Sequence, residues 1–128
     1  MTTGQLLSSH PLPNGVILEL WDRSRHAAGD RWQVAVEVRV AVPVNLATVP
    51  GDLASRLPEV NAALGAEVTF SHQEVRNFID EKEMPGLLEK MGAELRRSLE
   101  TYLGHPEFPG RFIRKKWTEL QEQRRWYA

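Results

Sequence analysis

Trp32-Gln33-Val34-Ala35-Val36-Glu37-Val38-Arg39-Val40-Ala41-Val42 alternates without interruption. Even positions are apolar, while odd positions carry glutamine, two charges and two alanines. Successive side chains of a β-strand point to opposite faces, so this stretch predicts a strand with one buried face. Strands with one wet face belong to antiparallel sheets backed by an apolar layer. The expected class is therefore α+β, with a mostly antiparallel sheet of three to four strands.

The chain N-terminal to this strand supplies a second one. Asn14-Gly15 signals a turn, and Val16, Leu18 and Leu20 then share one face, with Ile17, Glu19 and Trp21 on the other. Residues 1–13 are polar, end in His10-Pro11-Leu12-Pro13, and are expected as a loosely held tail. The segment 23–31 is longer than the usual hairpin loop, so either strands extend into it or it has a task of its own.

C-terminal to the strand, Pro43 is a stop. Asp52 is placed to cap a short helix through Leu57. Pro58 suits the first turn of another short helix, and Gly65 its closing residue. A third strand opens at Glu67, with Val68 and Phe70 on its apolar side. Beyond His72 the apolar set changes parity at Val75 and returns at Phe78, the mark of a bulge or bend, with a helix over 73–80 as the alternative. The sheet region is thus 14–80.

Residues 84–127 read as a helical hairpin. Leu87, Leu88, Met91, Leu95, Leu99, Tyr102 and Leu103 recur at helical spacing after Met84-Pro85. Gly104-His105-Pro106 breaks that helix, and His105 is expected to help end it. A second helix starts near Pro109, with Ile113, Trp117, Leu120 and Tyr127 on one side, Phe112 at its border and Phe108 directed to the core. These stripes are expected to cover one face of the sheet.

A chain of 128 residues with 41% hydrophobic and 26% charged residues is the size and composition of one globular domain. Net charge is −1, which argues against a surface built wholly for nucleic acid or anionic membrane. Cysteine is absent, which removes disulfides, thiolate nucleophiles and thiolate zinc sites. Residues 1–13 lack the basic and apolar regions of a secretory signal. The expectation is a cytoplasmic domain with no membrane segment and no cofactor.

Several strings invite a chemical reading. Asp22-Arg23-Ser24-Arg25-His26 contains the residue types of a hydrolase triad. Alternate strand residues stand about 6.6–6.8 Å apart, too far for the successive hydrogen bonds a triad needs. No nucleophile elbow or oxyanion signature accompanies them, so a polar loop is the default. His72 and Glu74 share a strand face and, with His26, make a candidate pocket for a small enzyme or ligand-binding protein. No metal-ligand spacing is present, and the acids at 80–83 suit a helix start.

The C-terminus is charge-asymmetric. From Gly110 onward, six basic residues stand against two acidic ones, a net +4 that leaves −5 for the rest. Arg111, Arg114, Lys115 and Arg125 form a stripe suited to phosphates, making nucleic-acid binding an alternative function. The reading favoured by the sequence is a non-catalytic protein-interaction or assembly module, homo-oligomeric or bound to a protein partner. Its candidate interface joins Ala35, Glu37 and Arg39 on the outer strand face with Trp117, Trp126 and Tyr127.

Overall fold

The computed structural model describes residues 4–127, except the side chain of Tyr127. Its elements are β1 (Gln5–Pro11), β2 (Ile17–Asp22), β3 (Arg25–Ala28), β4 (Arg31–Pro43), α1 (Gly51–Ala54), α2 (Leu57–Leu64), β5 (Glu67–Asp80), α3 (Met84–Leu103) and α4 (Phe108–Tyr127). The α+β class and the antiparallel sheet follow the sequence reading, with five strands in place of three to four. Chain length predicts one domain, within which the described residues cluster into two compact units. The first runs up to Val40 and resumes at Ser71–Gly104, while the second comprises Ala41–Phe70 and the chain from His105 onward.

In the first unit β2 lies between β1 and β4, antiparallel to both. Of residues 1–13, expected as a loose tail, 5–11 form the strand β1, and 1–3 lie outside the described residues. The sequence hid it because Leu7 is an extra residue between Leu6, opposite Trp21, and Ser8, opposite Leu20. That bulge breaks the period-two pattern. Residues 25–28 continue the pairing as β3, antiparallel to β4, so strand extension accounts for the long connection. Val34, Val36, Val38 and Val40 have no solvent exposure, and Leu18 and Leu20 join them from β2. Helix α3 packs against β2, where Gly92 brings the helix close to Leu20.

Two contacts fasten the end of α3. Asn14 Nδ2 donates to the Leu103 carbonyl at 2.8 Å, satisfying one of the oxygens a helix terminus leaves open. Gly104 then passes so close to its neighbours that a Cβ there would stand 2.9 Å from the Glu100 carbonyl and 3.0 Å from Pro13 Cδ.

Strand β5 pairs with β4 and remains strand through Asp80. The parity change seen in the sequence falls within this continuous strand, where Phe78 has a φ of +57°, the only positive value at a described non-glycine residue. The helical alternative for 73–80 is thereby set aside.

The second unit is built on helices. Val42, Val44, Val60 and Ile113 are buried in it. Phe108 stacks on Phe112 at 5.5 Å, and Phe70 meets both rings edge-on at about 6 Å. Phe108 is thus a core residue, as its sequence context predicts. Asp52 does not cap α1, which Pro50 precedes without a side-chain bond. Its carboxylate turns instead to Arg114 on α4. The imidazole of His105 serves the start of α4, accepting from the Glu107 N–H at 3.1 Å. Helix α2 packs against α4 and closes at Gly65 with φ +85°. No described helix is long and apolar enough to cross a membrane.

Candidate functional site

The outer face of β4 is more occupied than its sequence suggests. Ala35, a candidate interface residue, is only 1% exposed, and its N–H donates to Ser24 Oγ at 3.0 Å. The Ser24 N–H in turn donates to Asp22 Oδ1 at 2.8 Å. The triad-like string is therefore spent on backbone bonds where the chain passes from β2 to β3. His26 is directed elsewhere, with Nε2 on the Gly29 carbonyl and its ring edge-on to Trp32 at 5.5 Å.

Glu37 is the hub of this face. Its carboxylate accepts from Arg23 Nε at 3.0 Å and from the Ser71 hydroxyl at 2.6 Å, and its side chain is 18% exposed. Burial alone raises its pKa, but the Ser71 and Arg23 hydrogen bonds and the charges of Arg23 and Arg39 outweigh that and hold it below its usual range. The Arg23 guanidinium lies 4.9 Å from the Trp21 ring centroid, stacked as a cation over an aromatic face. Arg39, also predicted for the interface, is half-buried beside this cluster.

Among the described residues, β1 and β5 both lie at edges of the sheet. The side-chain bonds of β5 to β4, Ser71 to Glu37 and Gln33 to Asn77 at 2.9 Å, set it antiparallel along that strand. Since β2 and β3 share the other side of β4, β5 is the last strand of the sheet on its side. Its residues from Ser71 to Phe78 are exposed apart from half-buried Glu74. Phe78 is 77% exposed and Val75 37%. A left-handed backbone disfavours side chains with a Cβ, and glycine or asparagine fills such positions at lower cost. Here a phenylalanine fills it and points at solvent.

Strand β4 has neighbours on both sides, so its backbone is closed to another copy, whereas β5 lies at an edge.

The candidate pocket residues divide. His72 Nε2 and Glu74 Oε1 meet at 3.1 Å, with both side chains nearly half exposed. Glu74 borders a hollow of about 230 Å³ against Met91 and Leu95 of α3, whereas His26 borders another of about 290 Å³ with Gln33, Asn77 and Phe78. Neither hollow is lined by His72. Among the described residues no group of three or more histidine and acidic side chains is placed to hold a metal.

In the second unit, Trp117 is a core residue at 6% exposure, with the Arg56 guanidinium 5.2 Å from its ring centroid. Trp126 is 84% exposed. The side chain of Tyr127 lies outside the described residues. Of the basic stripe, Arg111 pairs with Glu107 and Arg114 with Asp52, while Lys115 is exposed. The Asp52 carboxyl is held below its ordinary range by the Arg114 hydrogen bonds, which raise the pKa of Arg114 in return.

A cleft of about 680 Å³ opens beside this pair, and Arg125 borders it.

Comparison with family models, curated proteins and solved structures finds no match.

The site residues that sequence reasoning missed are Arg23 and Ser71 around Glu37, Val75, Arg76 and Phe78 on β5, and Arg56 and Arg124 at the cleft. Only the parity slip between Val75 and Phe78 signalled any of them.

Proposed function

We propose that this chain is a non-catalytic assembly module that dimerises by pairing β5 of two copies about a two-fold axis. An uncovered strand edge is a template for another strand. What carries the reading is the self-complementarity of Ser71-His72-Gln73-Glu74-Val75-Arg76-Asn77-Phe78 on that edge. Antiparallel pairing centred on Val75 sets Glu74 of one copy opposite Arg76 of the other, twice over. It also sets Gln73 opposite Asn77, and His72 opposite the exposed ring of Phe78. Opposite charges directly across an antiparallel pair are favourable and like charges unfavourable. A two-fold interface requires this reciprocity, residue i meeting j while j meets i.

Nucleic-acid binding through α4 draws less support, since Arg111 and Arg114 are already engaged by Glu107 and Asp52. A catalytic pocket at His72 draws less as well, because the His72–Glu74 pair stands open to water.

A charge swap tests the dimer. In sedimentation equilibrium the wild-type chain is expected to be dimeric. Glu74→Arg and Arg76→Glu each weaken association by placing like charges across the pair, and the double variant restores it. A monomeric wild type at the highest attainable concentration overturns the reading, as does a double variant no better than the singles.

A further inference from the structure

The cleft in the second unit is a concave arginine site. Arg114, Trp117, Thr118, Gln121 and Arg125 recur at the spacing of one face of α4, and Asp52 and Arg56 stand across from them at α1 and the start of α2. Arg124 completes the wall, giving four guanidinium groups against the carboxylates of Asp52 and Glu122 in the lining and of Glu59 behind Arg56.

Two of these cations are fixed in place. Arg114 is held by both oxygens of Asp52, and Arg56 donates to Glu59 through Nε at 3.0 Å and Nη2 at 2.8 Å. A guanidinium carries five N–H donors in a rigid fork, so each retains donors after serving its carboxylate. The helix dipole accounts for basic residues in the last turn of α4, Arg124 and Arg125. It does not account for Arg56 and Arg114, which reach the same space from other positions.

We infer that this cleft binds a compact polyanion, a small molecule bearing a di- or triphosphate group. The donors that four forked guanidinium groups keep after serving their carboxylates suit the several oxygens of a di- or triphosphate. The volume lies within the roughly 300–1,000 Å³ of small-ligand sites. A single strand of nucleic acid is the poorer fit. Its bases need open aromatic faces, whereas the ring that lines the cleft, Trp117, is buried under Arg56, and exposed Trp126 does not line it. Arg111 and Lys115, which a linear polyanion would also engage, do not line the cleft.

The test is calorimetric titration of the full chain with sodium tripolyphosphate and with pyrophosphate in low-salt buffer. Saturable binding is expected, weakened by about tenfold or more in Arg124→Gln/Arg125→Gln, as loss of charge-assisted hydrogen bonds predicts. Arg111→Gln/Lys115→Gln removes the same charge outside the cleft and should bind nearly as wild type. All four replaced side chains are exposed, and circular dichroism checks that each variant is folded. Arg56→Gln supplies an independent reading from the opposite wall. Absence of saturable binding to either anion overturns the proposal, and so do equal losses in the two double variants. A single-stranded oligonucleotide that outcompetes tripolyphosphate and depends on Arg111 and Lys115 overturns it in favour of a linear polyanion.

Discussion

The Ser71 hydroxyl donates to Glu37 Oε2 at 2.6 Å, fastening the last strand of the sheet to the middle of β4. Arg23 holds the other carboxylate oxygen, so one acidic side chain on β4 ties in both β5 and the β2–β3 junction. The alternation that marks β4 as a strand also puts Glu37 on its non-valine face.

Glu37→Gln is expected to lower stability at neutral pH by ~1–3 kcal/mol, the range for hydrogen bonds to a charged group. Because Glu37 has a lowered pKa in the folded chain, its contribution is present above the ordinary carboxylate range and is lost as pH falls through the folded value. Denaturant titrations of both proteins should therefore converge on acidification. A gap that stays constant with pH contradicts the charge-based account.

Phe78→Asn separates folding from assembly. Asparagine tolerates a left-handed backbone better than phenylalanine does, and the ring it replaces is 77% exposed. Stability of the monomer, measured at high dilution, should stay within ~1 kcal/mol of wild type or rise. Association at higher concentration should fall. A core phenylalanine would behave oppositely, costing ~3–5 kcal/mol when truncated.

Ser24→Ala asks whether Ser24 has a structural task. The Ala35 N–H it satisfies belongs to a residue 1% exposed, so the variant leaves a buried donor open. The expected loss is ~1–3 kcal/mol in chemical denaturation. Unchanged stability would show that water replaces the hydroxyl. The same burial makes Ala35→Lys a poor probe of any interface, because it disrupts the strand itself.

The fold was legible where a period ran unbroken. Val34 to Val42 announced β4, and the leucine spacing from Leu87 to Leu103 announced α3. It was illegible where one residue reset the period, at Leu7 in β1 and, in part, at Phe78 in β5. The site was harder to read because its residues meet only across strands or helices. Glu37 stood out as a charge on β4, but nothing in its neighbourhood named Ser71 or Arg23. Arg114 read as part of a basic stripe because Asp52, its partner, lies far away along the chain. Trp117 and Trp126 looked alike in sequence, and the structure buries one and exposes the other.

Trp32, which opens that alternating strand, carries the last prediction. Its indole N–H is buried and has no hydrogen-bond partner among the described residues, although the ring keeps an edge contact with His26. A donor withdrawn from water without compensation costs ~1–3 kcal/mol. Trp32→Phe removes that donor and also some apolar area, at ~25 cal/mol per Å². The two effects oppose, so the variant should match or exceed the wild-type melting temperature, against the usual loss for shrinking a large aromatic residue. A drop comparable to that of a core truncation would mean that the N–H is satisfied by a bound water. The start of the alternating run would then be held by hydration rather than by packing.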